Sequence, residues 1–428
     1  MTAILFLSLI IFIAIGLPLA YALGGASFLA IASSDLPNIL TVQRFFTGVD
    51  SFTLMAIPFF MISGSLMSKG GVSDRLIKLC SVFLRRLPGG LAVVTVVACA
   101  FFGAISGSAP ATAAAIGGIM IPAMLAKNYA PDFSMATVAS AGYLGVIIPP
   151  SITMVTYGVA AGASIGDLFM AGVFPGILLC IGMSVYAFFV GRKNNYVMHE
   201  EKSITSREIL WSIVEAIPAL LMPVIILGGI YGGIFTPTEA GCVSVVYGLL
   251  VGFFVYKELK LSDIPEIFRS SALSASMILL IIGCASAFGN IITREMIPNK
   301  VASFVIGISD NKIVFLLLVN VLLLIVGCFM ETNTAIMIIA PILLPVAKSL
   351  GIDVVHFGII MVINLAIGLL TPPLGMNLYV ATGITGKKVS DVLGKYLIGY
   401  IVISIVILMV ITYVPGLSTF LPQLVSGR

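Results

Sequence analysis

Gly145-Val-Ile-Ile-Pro-Pro-Ser151 recurs 223 residues later as Gly368-Leu-Leu-Thr-Pro-Pro373. Subtracting 223 from Pro345, Gly368, Pro372 and Pro373 gives Pro122, Gly145, Pro149 and Pro150 without a gap. A polar break in an apolar run precedes each copy, Ser106-Gly-Ser-Ala-Pro110 in the first and Glu331-Thr-Asn-Thr334 in the second. A repeated pair of interrupted hydrophobic segments points to the binding site of a secondary transporter. The pattern predicts two copies of one ion- or substrate-binding device.

Composition places the device in lipid. With 60% hydrophobic and 9% charged residues over 428 positions and a mean hydropathy of +1.18, the chain has too little polar surface for a soluble globule. The runs 1–33, 52–68, 167–190, 208–231, 234–256, 270–290 and 396–413 reach or approach the ~20 residues of a spanning helix. Alternating strands are absent, which excludes a β-barrel. The first run lacks a basic leader and is too long for a signal h-region, so it reads as a retained first helix. Six cysteines, scattered without metal-ligand spacing, read as packing residues. The net charge of +4 says nothing of nucleic acid, because the basic residues follow topology.

A tracing with a cytoplasmic N-terminus and hairpins at 89–127 and 313–349 places 16 of the 22 Lys and Arg inside. Only Arg44, Arg294, Lys300, Lys312, Lys348 and Arg428 fall outside, as the positive-inside tendency requires. The first hairpin then enters from the cytoplasm and the second from the opposite face. The expected fold is an all-α polytopic membrane protein with inverted-topology repeats and two re-entrant helical hairpins. Residues 1–191 form the first repeat, 192–207 a cytoplasmic linker and 208–428 the second repeat. Val72–Leu87 and Asn38–Phe52 mix charged and apolar residues as interfacial helices do.

Backbone accounting supplies the chemistry. Proline has no N–H, so within a continuing helix Pro149 and Pro150 free the carbonyls of Gly145 and Val146, and Pro372 and Pro373 those of Gly368 and Leu369. Glycine permits the unwinding that lets these oxygens converge, and a small hard cation such as Na⁺ takes a cage of such oxygens. At the first break, Ser106 and Ser108 add hydroxyls and Pro110 opens the returning helix. The N–H groups of that helix suit an anion.

Glu331 is an intramembrane carboxylate, with a substrate or coupling role set against simple capping. Glu239 lies at a helix start as a cap or otherwise. Arg294 and Glu295 are expected to pair with each other or with solvent. His199 falls in the linker and His356 begins a helix, so neither is read as catalytic. Asn364 is expected to hydrogen-bond across the bundle.

With these residues in view, Ser106-Gly-Ser-Ala-Pro-Ala-Thr112, Gly233-Ile-Phe-Thr-Pro-Thr-Glu-Ala240, Ala340-Pro-Ile-Leu-Leu-Pro345 and Pro372-Pro-Leu-Gly-Met-Asn-Leu-Tyr379, together with Leu54-Met-Ala-Ile-Pro-Phe-Phe60, give a chain that resembles the large membrane subunit of TRAP transporters, the DctM-like family. The resemblance covers essentially the whole chain. It implies a Na⁺-coupled importer in the bacterial inner membrane, an elevator mechanism, a small four-helix membrane subunit and a periplasmic substrate-binding protein as partners. By the same resemblance, one Na⁺ is held among Ser106, Ser108, Gly145, Ile148 and Pro150, and a second near Glu331, Thr332, Gly368, Thr371 and Pro373. The substrate then sits between the tips, against Ser108, Ser151, Thr153, Glu331, Asn333 and Asn377. Val159–Leu168 is short where dicarboxylate-type members often carry an insertion, which favours sialic acid or another sugar acid over a C4-dicarboxylate.

Two other functions compete. A self-sufficient Na⁺-coupled dicarboxylate carrier shares hairpins and repeats but needs no binding protein. An intramembrane enzyme is disfavoured, since there is no HExxH, only two histidines are present, and Ser106 and Ser108 lack a histidine or lysine partner.

Overall fold

The computed structural model describes residues 1–196, 205–298, 300, 311–373 and 375–426. Helices and the turns between them make up these residues, with no strand among them. Nine helices among the described residues are long and apolar enough to cross a membrane. The predicted runs appear as Ile165–Lys193, Ser206–Tyr231, Pro237–Val255, Leu261–Arg294 and Lys395–Tyr413. Both suspected interfacial segments are helical, as Ile39–Val49 and Val72–Leu84. Most of the linker, residues 197–204 with His199, lies outside the described residues.

The single first helix expected over 1–33 is instead two, Thr2–Ala14 and Leu19–Ala32, packed on each other. Gly16 takes φ +83°, and Leu17 N–H reaches back to the Phe12 carbonyl at 3.0 Å while Gly16 N–H reaches Ile13 at 3.0 Å. This closes the helix in the manner of a Schellman turn. Pro18 then sits where it cannot continue the first helix and precedes the second.

Two helix pairs meet at short polar breaks. Gly90–Ser106 and Ala109–Ala126, the latter called here the first tip helix, are joined by Gly107 and Ser108. Lys312–Phe329 and Thr332–Ser349, the second tip helix, are joined by Met330 and Glu331. Gly107 at φ +61° lets the chain turn. After each pair an apolar helix breaks at the Pro-Pro step. Pro131–Gly142 passes through a 3₁₀ turn over Tyr143–Val146 and restarts as Ile152–Ala161. Val354–Gly368 stops and restarts as Met376–Thr385. Both Pro-Pro bonds are cis.

Packing between these parts is reciprocal. The first restart helix, Ile152–Ala161, packs on the second tip helix, and the second restart helix, Met376–Thr385, packs on the first tip helix. The buried Thr156 hydroxyl donates to Asn333 Oδ1 at 3.0 Å across one of these contacts. At the other, a Cβ on Gly117 would meet Ile384 Cδ1 at 3.0 Å. Glycines allow the arms to approach the broken helices: Gly103 lies against Gly145, and Gly327 against Gly368. Asn364 does hydrogen-bond across the bundle, donating to Asn320 Oδ1 at 2.7 Å.

Candidate functional site

At the first tip, oxygens gather around a glycine. Ser106 Oγ and Thr112 Oγ1 lie 2.7 Å apart, and Thr112 donates to the Ser108 carbonyl at 2.8 Å. Gly145 presses into this group: an added Cβ would sit 2.7 Å from the Ser108 carbonyl oxygen and collide with the Thr112 hydroxyl. Gly107 stands equally close to the Pro150 carbonyl, at 2.9 Å from its own added Cβ. Ile152 N–H donates to the Gly107 carbonyl at 3.3 Å, tying the tip to the restart helix. Ser106, Ser108, Gly145 and Pro150 are therefore brought together. Ile148 turns its side chain toward Gly176 of the helix Ile165–Lys193 instead.

Thr112 was absent from the expected site. It stands in the quoted motif, four residues after Ser108, where one helical turn returns its hydroxyl to the Ser108 carbonyl.

The freed-carbonyl expectation needs correction at Val146, Gly368 and Leu369, where the helices stop and the carbonyls find new partners. Ser151 Oγ donates to the Val146 carbonyl at 2.6 Å and accepts from Met154 N–H at 3.3 Å, so this hydroxyl caps the restart helix. Gly368 O accepts from Thr371 N–H at 2.9 Å, and Leu369 O from Asn377 N–H at 3.3 Å. Each such carbonyl keeps a second lone pair.

The second tip is built differently. Glu331 is its N-cap: one carboxylate oxygen accepts from Thr334 N–H at 3.1 Å, the other from Asn333 Nδ2 at 2.7 Å. Asn333 also accepts from Thr156, so both ends of its amide are engaged. Thr332 Oγ1 is buried without a hydrogen-bond partner. Gly368 abuts the Gly327 backbone. Pro372 and Pro373 are exposed and Thr371 half-buried, whereas Pro149 and Pro150 are buried. Asn377 points toward the first half, donating to the Ala139 carbonyl at 3.0 Å, with its own Oδ1 buried and unpartnered.

Between the tips lies a cavity of about 740 Å³. Ser106, Ser108, Thr153, Glu331, Thr332 and Asn333 line it. Gly145, Pro150, Ser151, Gly368 and Asn377 do not; they are buried beyond its wall. The first turns of four helices, at Ala109, Ile152, Thr332 and Met376, face this one space. Helix N-termini present N–H groups and the positive dipole end, so the cavity favours an anion. Its opposite wall comes from helices Ala56–Lys69 and Ile264–Arg294. Lys69, Asp263 and Glu266 are its only charged lining residues besides Glu331 among those described.

Glu239 forms a capping box with Thr236, accepting its N–H at 2.8 Å. Arg294 and Glu295 do not pair: Arg294 Nε donates to Asn290 at 3.1 Å, and Glu295 accepts the Thr2 hydroxyl at 2.5 Å. Asn290 stands one helical turn before Arg294 on the same helix, whereas Thr2 is remote in sequence from Glu295. His356 lies 2.6 Å from Ser418 Oγ, remote in sequence from any nucleophile of the tips.

Residues 6–417 match the family described as Tripartite ATP-independent periplasmic transporter, DctM component. The chain belongs to this family. As a DctM component it is a transporter permease of the inner membrane and not an enzyme. It is 45% identical over 411 residues to the isethionate TRAP transporter permease DctMQ of Oleidesulfovibrio alaskensis, covering 96% of this chain but only 64% of that relative. To the C4-dicarboxylate TRAP large permease DctM of Pseudomonas aeruginosa it is 43% identical, over 94% of this chain and 93% of the relative. To the sialic acid TRAP large permease SiaM of Vibrio cholerae it is 37% identical, over 96% of each. Among solved structures, the YdaH transporter of Alcanivorax borkumensis shares the fold, with a TM-score of 0.61 at 16% identity, over 87% of this chain and 86% of that one.

Proposed function

We propose that this DctM component is the permease of a Na⁺-coupled tripartite importer of an organic acid, and that the body carrying both tips moves as an elevator. One observation carries the reading: four helix N-termini converge on a single cavity between two breaks of the chain. An anion is held there by backbone dipoles and hydroxyls rather than by a buried cation, and the two breaks enter from opposite faces of the membrane. A small membrane subunit and a periplasmic binding protein complete the importer.

The first cluster suits Na⁺ by its donors. Neutral carbonyl and hydroxyl oxygens are what a hard monovalent cation takes, and the Gly145 Cα closes on them where any side chain would intrude. Ser106, Ser108, Thr112 and Pro150 would hold this ion; at the second tip, the unpartnered Thr332 hydroxyl and the Gly368 backbone would hold the other. Lys69, Asp263 and Glu266 line the cavity near helix ends that charge tracing assigns to the cytoplasm, which makes this the inward-facing form.

The relatives are named for isethionate, a C4-dicarboxylate and sialic acid, all anions. The short Val159–Leu168 favours a sugar acid, and the C4-dicarboxylate-named relative supports a diacid equally. The test is uptake of labelled sialic acid and succinate into proteoliposomes holding this chain, its small subunit and its binding protein, with and without an inward Na⁺ gradient. Uptake that needs all three proteins and Na⁺ is the expected result. Na⁺-driven uptake by this chain alone would overturn the tripartite reading in favour of a self-sufficient carrier.

A further inference from the structure

The two tips are unequal as anion seats. The second tip helix already carries a carboxylate at its N-cap, Glu331, which takes the Thr334 N–H at 3.1 Å. The second restart helix spends the Asn377 N–H on the Leu369 carbonyl at 3.3 Å. The first tip helix has no side-chain cap, and no acidic residue stands in its first turn. The first restart helix is capped by Ser151, which takes the Met154 N–H at 3.3 Å, and gives its Ile152 N–H to the Gly107 carbonyl at 3.3 Å, so the uncapped seat for a negative charge is at Ala109–Ala111. A second carboxylate reaching across would meet Glu331, Asp263 and Glu266, with Lys69 the one basic side chain on the cavity wall among the described residues.

Opposite that seat the wall sets hydroxyls among apolar side chains such as Met61, Ile267, Met277 and Ile281. Ser65 and Ser68 come from the helix Ala56–Lys69, and Ser270, Ser271 and Ser274 from Ile264–Arg294, where their spacing puts them on one face. Ser271 donates to Ser65 at 3.1 Å. Ser68 and Ser274 face the cavity with no hydrogen-bond partner among the described residues. Thr332, 1% exposed and also unpartnered, faces the same space from the second tip. Hydroxyls exchange hydrogen bonds as donor and acceptor, so this wall complements a molecule that itself bears hydroxyls.

We infer that Ser65, Ser68, Ser271 and Ser274 are specificity-determining residues that read the hydroxyl groups of a monoanionic cargo, a polyhydroxy acid, and that the cavity disfavours a dianion. The inference rests on the cavity being the cargo site. A site built to hydrogen-bond hydroxyls leaves its own polar groups unpaired against an analogue that lacks them, which is where such discrimination arises.

None of the six cysteines lines the cavity, so a Ser274→Cys reporter in a Cys242→Ser background, labelled by a membrane-impermeant thiol reagent, reads the wall directly. Ser68→Cys on the facing helix serves as a second reporter. In Na⁺, gluconate is expected to slow labelling about fivefold, and succinate or butyrate at matched ionic strength less than about twofold. Ser68→Ala with Ser271→Ala should remove gluconate protection of Cys at 274. Succinate protecting as well as gluconate, or protection surviving both alanines, overturns the inference and leaves the importer reading standing. Absence of protection by every anion at both reporters overturns the cavity as cargo site, and the inference with it.

Discussion

Replacing Gly145 by alanine tests the proposed ion cage at its tightest point. The new Cβ would lie 2.7 Å from the Ser108 carbonyl oxygen and 3.1 Å from its carbon, and nearer still to the Thr112 hydroxyl. Those neighbours are backbone and a short side chain already held by Ser106, so the strain is relieved only by spreading the oxygens. Overpacking of this kind costs about 1–3 kcal/mol. If it falls on the geometry that holds the ion, Na⁺ half-saturation rises about 5- to 150-fold, since about 1.4 kcal/mol is a factor of ten. Gly118→Ala is the control: it lies in the first tip helix with nothing within 4 Å of the added Cβ, and gains about 0.5–1 kcal/mol of helix stability. Uptake against Na⁺ concentration in proteoliposomes, with melting temperatures in Na⁺ and in choline chloride, separates coupling from folding. A Gly145→Ala protein with the Na⁺ half-saturation of the parent would refute the cage.

Thr112→Val keeps shape but removes the hydroxyl 2.7 Å from Ser106, leaving buried partners unpaired; melting should show a loss of about 1–3 kcal/mol and a smaller Na⁺-induced stabilisation. Glu331→Ala removes the second tip cap and should cost about 0.5–2 kcal/mol in thermal melting, whereas Glu331→Asn, an equally good cap, should cost little. Tyr196 stacks on Tyr129 at 4.3 Å, accepts from Ala130 N–H at 3.1 Å and offers its carbonyl to Gly89 N–H at 2.7 Å. Tyr196→Ala removes the stack and the Ala130 bond but keeps the carbonyl, so it should destabilise by about 2 kcal/mol, with faster hydrogen exchange at Ala130.

The break points were legible because they rest on local covalent facts. Proline lacks an N–H wherever it stands, and while single prolines such as Pro122 and Pro175 stay inside helices, the doubled Pro149-Pro150 and Pro372-Pro373 mark the breaks. What followed was not local. Whether a freed carbonyl stays free depends on the next residue able to donate, and Ser151 and Thr371 both do. The split at Gly16 was missed for a related reason: hydropathy runs unbroken through residues 1–33, and only the Gly16–Pro18 spacing carries the turn. The serine wall escaped notice because Ser270, Ser271 and Ser274 lie in a segment read only for its length and apolarity. Their meaning depends on which helix face borders the cavity.

The reciprocal packing bears on the mechanism most directly. The first restart helix is seated on the second tip helix and the second restart helix on the first tip helix, so each half's broken helix is completed by the other half's tip. Moving one half alone would unpack both contacts and strip Thr156 from Asn333, in a medium where unsatisfied polar groups cost several kcal/mol each. A body that carries both tips together preserves every one of these contacts. Such a body would slide past Ala56–Lys69 and Ile264–Arg294, which border the cavity with Ser65, Ser68, Ser271 and Ser274 set among apolar side chains such as Met61, Ile267 and Ile281. In the proposed elevator, these hydroxyls would exchange partners as the wall passes, and a rigid-body displacement would keep the Thr156–Asn333 bond and both tip contacts intact.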